Sequence, residues 1–123
     1  MAARPASLAT AQRARDMPIY KLHYDMIAAR TKTIEVRVAY SSMRRIKAGD
    51  HRRFTCRNQA TLTRVRRVTR YASFDDMFDH EPAEAINPTA DRAEQLAAIR
   101  VIFPLDKEAL GVLAIEIEKI AAA

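Results

Sequence analysis

Between Thr33 and Tyr71 the chain reads as three strands in succession, 33–38, 51–56 and 61–71, with no helical repeat between them. In the first, Ile34, Val36 and Val38 share one side of the pleat, and Thr33, Glu35 and Arg37 share the other. In the third, the apolar positions Leu62, Val65 and Val68 are three apart. A flat strand cannot keep that spacing on one face, so a bulge or strong curl is expected. Ala48-Gly49-Asp50 supplies a turn, and Arg57 to Ala60 a hairpin link. A short strand over 17–22 and a short helix over 24–29 come first, and a strand over 111–119 closes the chain.

Helical text is grouped between residues 73 and 110. Ser73 stands before Phe74-Asp75-Asp76 as an N-cap with acids in the first turn. Pro82 interrupts that helix. Asn87-Pro88-Thr89 forms a turn whose Thr89 can cap a helix over about 90–103, which Pro104 ends. Strands grouped apart from helices argue against a doubly wound sheet and for an α+β fold. Short, curled strands predict a partly closed β-barrel of about five to six strands flanked by two to three helices, a closure that removes exposed edges.

The 123 residues suit one domain, expected over 17–121, with residues 1–16 as a flexible basic N-terminal tail. Two glycines, Gly49 and Gly111, cannot write a dinucleotide-binding or Walker loop. The lone Cys56 excludes an internal disulfide, so the fold needs no oxidising compartment and a cytoplasmic location is expected. No apolar run approaches the roughly 20 residues of a membrane span. His23, His51 and His80 lack metal-ligand spacing, so neither a metal nor a cofactor is expected.

The net charge of +6 is unevenly placed. Residues 28–71 hold thirteen Lys/Arg against Glu35 and Asp50, whereas residues 72–123 hold four against eleven acids. Such a basic middle suits a polyanion, nucleic acid being the commonest. Its alternative is mutual neutralisation of the two halves across the fold. A strip including Arg44, Arg45, Lys47, Arg66, Arg67 and Arg70, with Tyr40 and Tyr71 near its ends, has the composition of a backbone-tracking groove with stacking platforms. In strict alternation Arg64, Arg66 and Arg70 share one face and Arg67 the other.

Four segments, in order, carry a family resemblance. Ala28-Ala29-Arg30-Thr31-Lys32-Thr33-Ile34-Glu35-Val36-Arg37 resembles the Gly-x-Lys-x-x-Glu-x-Arg signature of the ASCH family, with Arg30 in the glycine's place. Arg44 to Asp50 resembles its Lys-x-Gly-Asp turn, Tyr71 to Met77 its helix start, and Gly111 to Ile117 its last strand. The resemblance implies a PUA-like barrel with a cleft beside the signature. It implies binding of single-stranded RNA or an RNA-derived (modified) nucleoside, with metal-independent, ribonuclease-like hydrolysis as an activity some members have.

On this resemblance Lys32, Thr33 and Glu35 are the candidate catalytic residues. Lys32 serves as phosphate contact or base, and Glu35 as its acid/base partner. Arg37, Arg30, Tyr40, His23 and the basic strip are the candidate nucleic-acid contacts. Glu35 and Arg37 are equally open to a structural ion pair. A family branch resembling an amidohydrolase of acetylated cytidine has a threonine three after the lysine. That place is Glu35 here, Thr33 is the nearest hydroxyl, and Glu81 or Glu84 are acidic candidates by region. A non-catalytic binding module is the other alternative, as a monomer or weak dimer.

Overall fold

In the expected hairpin, β3 (His51–Cys56) turns at Arg57-Asn58 into the antiparallel β4 (Gln59–Tyr71). Arg57 takes φ +57 at the first turn position, the left-handed geometry that tight hairpins demand. The computed structural model describes residues 8–120. Within them α1 (Leu8–Arg13), β1 (Arg15–Pro18), α2 (Lys21–Ala28) and β2 (Ile34–Val38) precede the hairpin. The helices α3 (Phe74–His80), α4 (Ala83–Ile86), α5 (Arg92–Ile102) and α6 (Leu105–Glu108) follow, and β5 (Val112–Lys119) ends the fold.

The sheet runs β1-β3-β4-β5-β2 and curls into a partly closed barrel. The α+β architecture is therefore the expected one, with five strands. The helical segments number six among the described residues, more than the two to three expected, because α1, α4 and α6 are short turns of helix. The first strand begins and ends earlier than predicted: Pro18 closes it, and α2 starts at Lys21. Of the expected tail, residues 1–7 lie outside the described residues, while α1 and the start of β1 occupy the rest.

β4 slips register against β5 between Val65 and Arg67, leaving Arg66 as the extra residue of a bulge. The slip sets Val65 opposite Ile117 and Val68 opposite Ile115, so both valines face the barrel interior. It also corrects two parity assignments. Arg67 lies opposite Glu116 and shares a face with Arg64, opposite Glu118, whereas Arg70 falls opposite Leu113. Ahead of the bulge the buried positions are Thr61 and Thr63, and Leu62 is on the other face.

β5 is apolar on both faces for a reason. Leu113, Ile115 and Ile117 point into the barrel with Phe54, Ile27 and Met17. Val112 and Ala114 face Phe74, Met77 and Ile86 on the helices. Ser73 caps α3 as predicted, its Oγ accepting from the Asp76 N–H at 3.0 Å. α5 is capped by Asp91 rather than Thr89, because Asp91 and Glu94 complete a reciprocal capping box. The Thr89 hydroxyl donates instead to Asn87 Oδ1 at 2.6 Å.

Candidate functional site: a cleft at the barrel seam

β1 and β2 are the outer strands of the sheet, so the barrel has a seam between them. Arg37 Nη2 crosses it to donate to the Pro18 carbonyl at 3.0 Å. A cleft of about 440 Å³ opens beside this bridge. Ile19, Tyr20 and His23 line one side, Lys32, Glu35 and Arg37 contribute the polar wall, and Ile86, Ile99, Ile102 and Phe103 supply apolar surface from α4, from α5 and from the end of α5.

The chain reversal at Arg30 delivers the polar wall. Arg30 has φ +66, which explains the glycine of the resembled signature. The turn is held by the Thr31 and Lys32 N–H groups, which both donate to the Met26 carbonyl. It carries the Lys32 side chain inward, leaving the residue 2% exposed. Lys32 Nζ donates to the Ile86 carbonyl at 2.9 Å and lies 3.3 Å from Glu35 Oε1. Glu35, 5% exposed, accepts from Arg37 Nε at 2.6 Å on its other oxygen. A buried carboxylate is thus clamped between an ammonium and a guanidinium.

The electrostatics follow from burial and this clamp. Burial lowers the pKa of Lys32, with Glu35 opposing the shift. Burial pushes Glu35 up, but the charges of Lys32 and Arg37 outweigh it and hold the carboxyl below its ordinary value. His23 is lowered by burial and then by Lys32, which favours neutral imidazole. Its Nδ1 is buried and finds no hydrogen-bond partner among the described residues. The arrangement offers a neutral proton acceptor beside fixed positive charge. No group of His, Cys, Asp and Glu among the described residues is placed to hold a metal ion.

Of the predicted catalytic residues, Lys32 and Glu35 meet in the cleft, together with Arg37 and His23. Thr33 is exposed and lines a separate hollow with Arg30, Arg66 and Lys119, because it stands at the start of β2, where its carbonyl accepts from the Ile117 N–H. Arg30 Nη1 is spent on the Lys119 carbonyl at 2.9 Å. Glu84 does not line the cleft, and Glu81 is engaged elsewhere. Tyr40 packs against Phe103 at 6.4 Å between ring centres. Tyr71 donates to Glu81 Oε2 at 2.6 Å and stacks on His80.

Arg44, Lys47, Arg66, Arg67 and Arg70 converge on a second hollow of about 480 Å³, with Arg45 exposed outside its lining. The strip is partly neutralised from the acidic half. Arg64 and Arg66 both pair with Glu118 at 2.6 Å. Arg67 makes two 2.8 Å bonds to Glu81 and reaches Glu116 at 3.1 Å. Arg44 and Arg70 donate to the carbonyls of Ala39 and Leu110. The side chains of Arg44, Arg45, Lys47 and Arg70 have no carboxylate partner among the described residues.

Sequence reasoning missed the apolar cleft wall and Tyr20, which is 68% exposed at the mouth. An aromatic just before a helix gives no signal of its own. Val36 shares its side of the pleat with Ile34 and Val38 and packs with them against the helices, yet it also borders the cleft.

A family model described as ASCH domain matches residues 17–121. The crystal structure of the hypothetical protein PH0355 superposes with a TM-score of 0.80 at 29% identity, covering 87% of this chain and 99% of that one. The solution structure of protein PF0455 from Pyrococcus furiosus gives a TM-score of 0.71 at 30% identity, covering 86% and 96%. No curated protein matches the chain. No helix among the described residues is long and apolar enough to cross a membrane.

Proposed function

The chain belongs to the ASCH domain family, and on that premise we propose that it binds single-stranded RNA, taking one nucleotide into the seam cleft. The observation that carries this reading is the buried Lys32–Glu35–Arg37 clamp opening onto a cleft of about 440 Å³ with apolar walls. That combination suits a flat base with a phosphate at its edge. The second hollow extends the track. Arg37 pairs across to Leu113, and Leu113 across to Arg70. Two strand spacings put the Arg37 and Arg70 Cα atoms about 10 Å apart, a span that neighbouring nucleotides cover. Lys47, Arg44 and Arg70 then meet phosphates without choosing sequence.

The test is fluorescence anisotropy with a labelled single-stranded RNA over a salt series. Lys47→Glu with Arg70→Glu is expected to weaken binding and flatten the salt slope by about 0.7 per lost phosphate contact. Arg37→Ala is expected to weaken binding at all salt concentrations. Wild-type protein that ignores the RNA, or affinity independent of salt, overturns the reading.

A second reading, hydrolysis of the bound RNA, has one observation in its favour: the buried, unpartnered His23 Nδ1 beside Lys32. Neutral His23 would take the proton of the 2′-hydroxyl. The 2′-oxygen would attack phosphorus as Lys32 protonates the departing 5′-oxygen, leaving a cyclic phosphate and a free 5′-hydroxyl. Incubation of RNA with wild type, His23→Ala and Lys32→Ala in chelator tests it. Absence of cyclic-phosphate ends with wild type, or equal cleavage by Lys32→Ala, removes the chemistry and leaves a binding module.

A further inference from the structure

We infer that the main chain of Val36, rather than a side chain, reads the edge of the base in the cleft; this rests on the RNA reading above. The inference follows from strand register. β2 pairs antiparallel with β5, Val36 opposite Ala114. The Ile117 N–H donates to the Thr33 carbonyl, and the Ala39 N–H donates to the Gly111 carbonyl. Both bonds belong to the same alternating series, so residues 35 and 37, together with the Thr33 carbonyl and the Ala39 N–H, turn their polar groups toward β5. Residues 34, 36 and 38 turn theirs outward, at an edge that no other described strand pairs with.

Of these three, only Val36 borders the cleft. Ile34 lies where α4 covers the edge, the Ala85 carbonyl there accepting the Thr33 N–H. The Val38 carbonyl accepts from the Tyr40 N–H. Val36 therefore presents one N–H donor and one C=O acceptor, side by side, to a hollow with apolar walls. Main-chain groups set in apolar surroundings require partners. The ligand they fit carries an acceptor next to a donor on one flat edge, as every nucleobase does.

An added peptide strand would satisfy the same chemistry, but the window is too narrow for one. Lys32 reaches the Ile86 carbonyl at one end and Arg37 reaches the Pro18 carbonyl at the other. Strand addition draws on successive residues of an open edge, whereas one residue is available here. A single base fits. Tyr20 at the mouth and Phe103 on the far wall bound it without reading it.

The position also offers an unusual test. Proline at 36 removes an N–H that points away from the ladder, so no strand–strand hydrogen bond is lost. Val36→Ala controls for the trimmed side chain. With adenosine 5′-monophosphate and cytidine 5′-monophosphate as probes, binding by Val36→Pro is expected to be about tenfold weaker than by Val36→Ala. Purine riboside monophosphate, which lacks the amino donor, is expected to bind wild type several-fold more weakly than adenosine monophosphate.

An independent readout needs no variant and covers the case in which Val36→Pro does not fold. In ¹⁵N-labelled wild type, the Val36 amide is expected to shift and to exchange more slowly when the nucleotide is added. If single-stranded RNA and the nucleotides bind but the Val36 amide and the folded Val36→Pro protein are unaffected, this inference fails and the RNA reading stands. If wild type binds neither RNA nor nucleotide, both fail. A blocked tripeptide that moves the Val36 amide where nucleotides do not would overturn the assignment of the window to a base.

Discussion

Replacing Glu35 by glutamine keeps the shape of the clamp and removes its only negative charge. Lys32 then stays buried, its side chain 1% exposed, with the Ile86 carbonyl but no carboxylate. Leaving one member of a buried pair without its partner costs about 3–5 kcal/mol. Arg37, a second cation, adds to the loss, but only partly, because its side chain is 21% exposed and also bonded to the Pro18 carbonyl. Against a typical total of about 5–15 kcal/mol, the variant sits near the edge of folding. For a domain of this size the melting temperature is expected to fall by roughly 10–20 °C.

The pH dependence fixes the cause. In Glu35→Gln, the folded-state pKa of Lys32 drops further below its unfolded value of 10.5, because Glu35 had opposed the burial shift. The penalty is fully present below that folded pKa and shrinks as pH rises toward 10.5, where the unfolded lysine also loses its proton. Urea unfolding at pH 7 and pH 9.5 measures both parts. A second variant, Lys32→Met with Glu35→Leu, is expected to recover most of the loss by replacing the pair with apolar packing. A Glu35→Gln cost under about 1 kcal/mol, flat with pH, would refute the reasoning, since that is the scale of an exposed ion pair.

Other perturbations separate the remaining interactions. Gly111→Ala is expected to cost about 1–3 kcal/mol in urea titration, because φ is +103 and the new Cβ would sit 2.7 Å from Arg70 Nε, while Gly49→Ala, at φ +94 in open space, carries only the backbone part. Glu81→Gln should destabilise at pH 7 and flatten the acid limb. Arg67 holds the Glu81 carboxyl below its ordinary 4.5, so its contribution is full above that value and is lost as pH falls through the lower folded pKa. The His23 ring should titrate below 6.5 by NMR, and because the unfolded chain takes up that proton first, His23→Gln should lessen the loss of stability as pH falls through 6.5. A midpoint at or above 6.5 would contradict the burial of the ring.

Local chemistry made much of the fold readable. Ser73 with its acids, the spacing of Val65 and Val68, and the two strands around Arg57 are all decided within a few residues, and each appears where expected. What failed depends on distant partners. The bulge at Arg66 exchanges the faces of Arg67 and Arg70, so a count of twos misassigned both. Glu118 lies fifty-four positions from Arg64, and nothing local announces that it neutralises the strip. In the site, Lys32, Glu35 and Arg37 were legible from the signature. Thr33 was not, because at the start of β2, beside Ile117, it opens onto the hollow with Lys119 and not onto the cleft. Tyr40 and Tyr71 stand out by composition alone, whereas Phe103 and Glu81 engage them in the fold.

The order of pairing in the sheet has a consequence for synthesis. β2, which carries Glu35 and Arg37, has β5 as its sole ladder partner among the described strands, and β1 waits for β3. A nascent chain that has already emitted every polar group of the cleft therefore still lacks the cleft. Until β5 leaves the ribosome, the signature strand is an unzipped ribbon with both rims open to foreign chains. Truncation between Phe103 and Val112 should accordingly abolish the site without removing one residue that lines it.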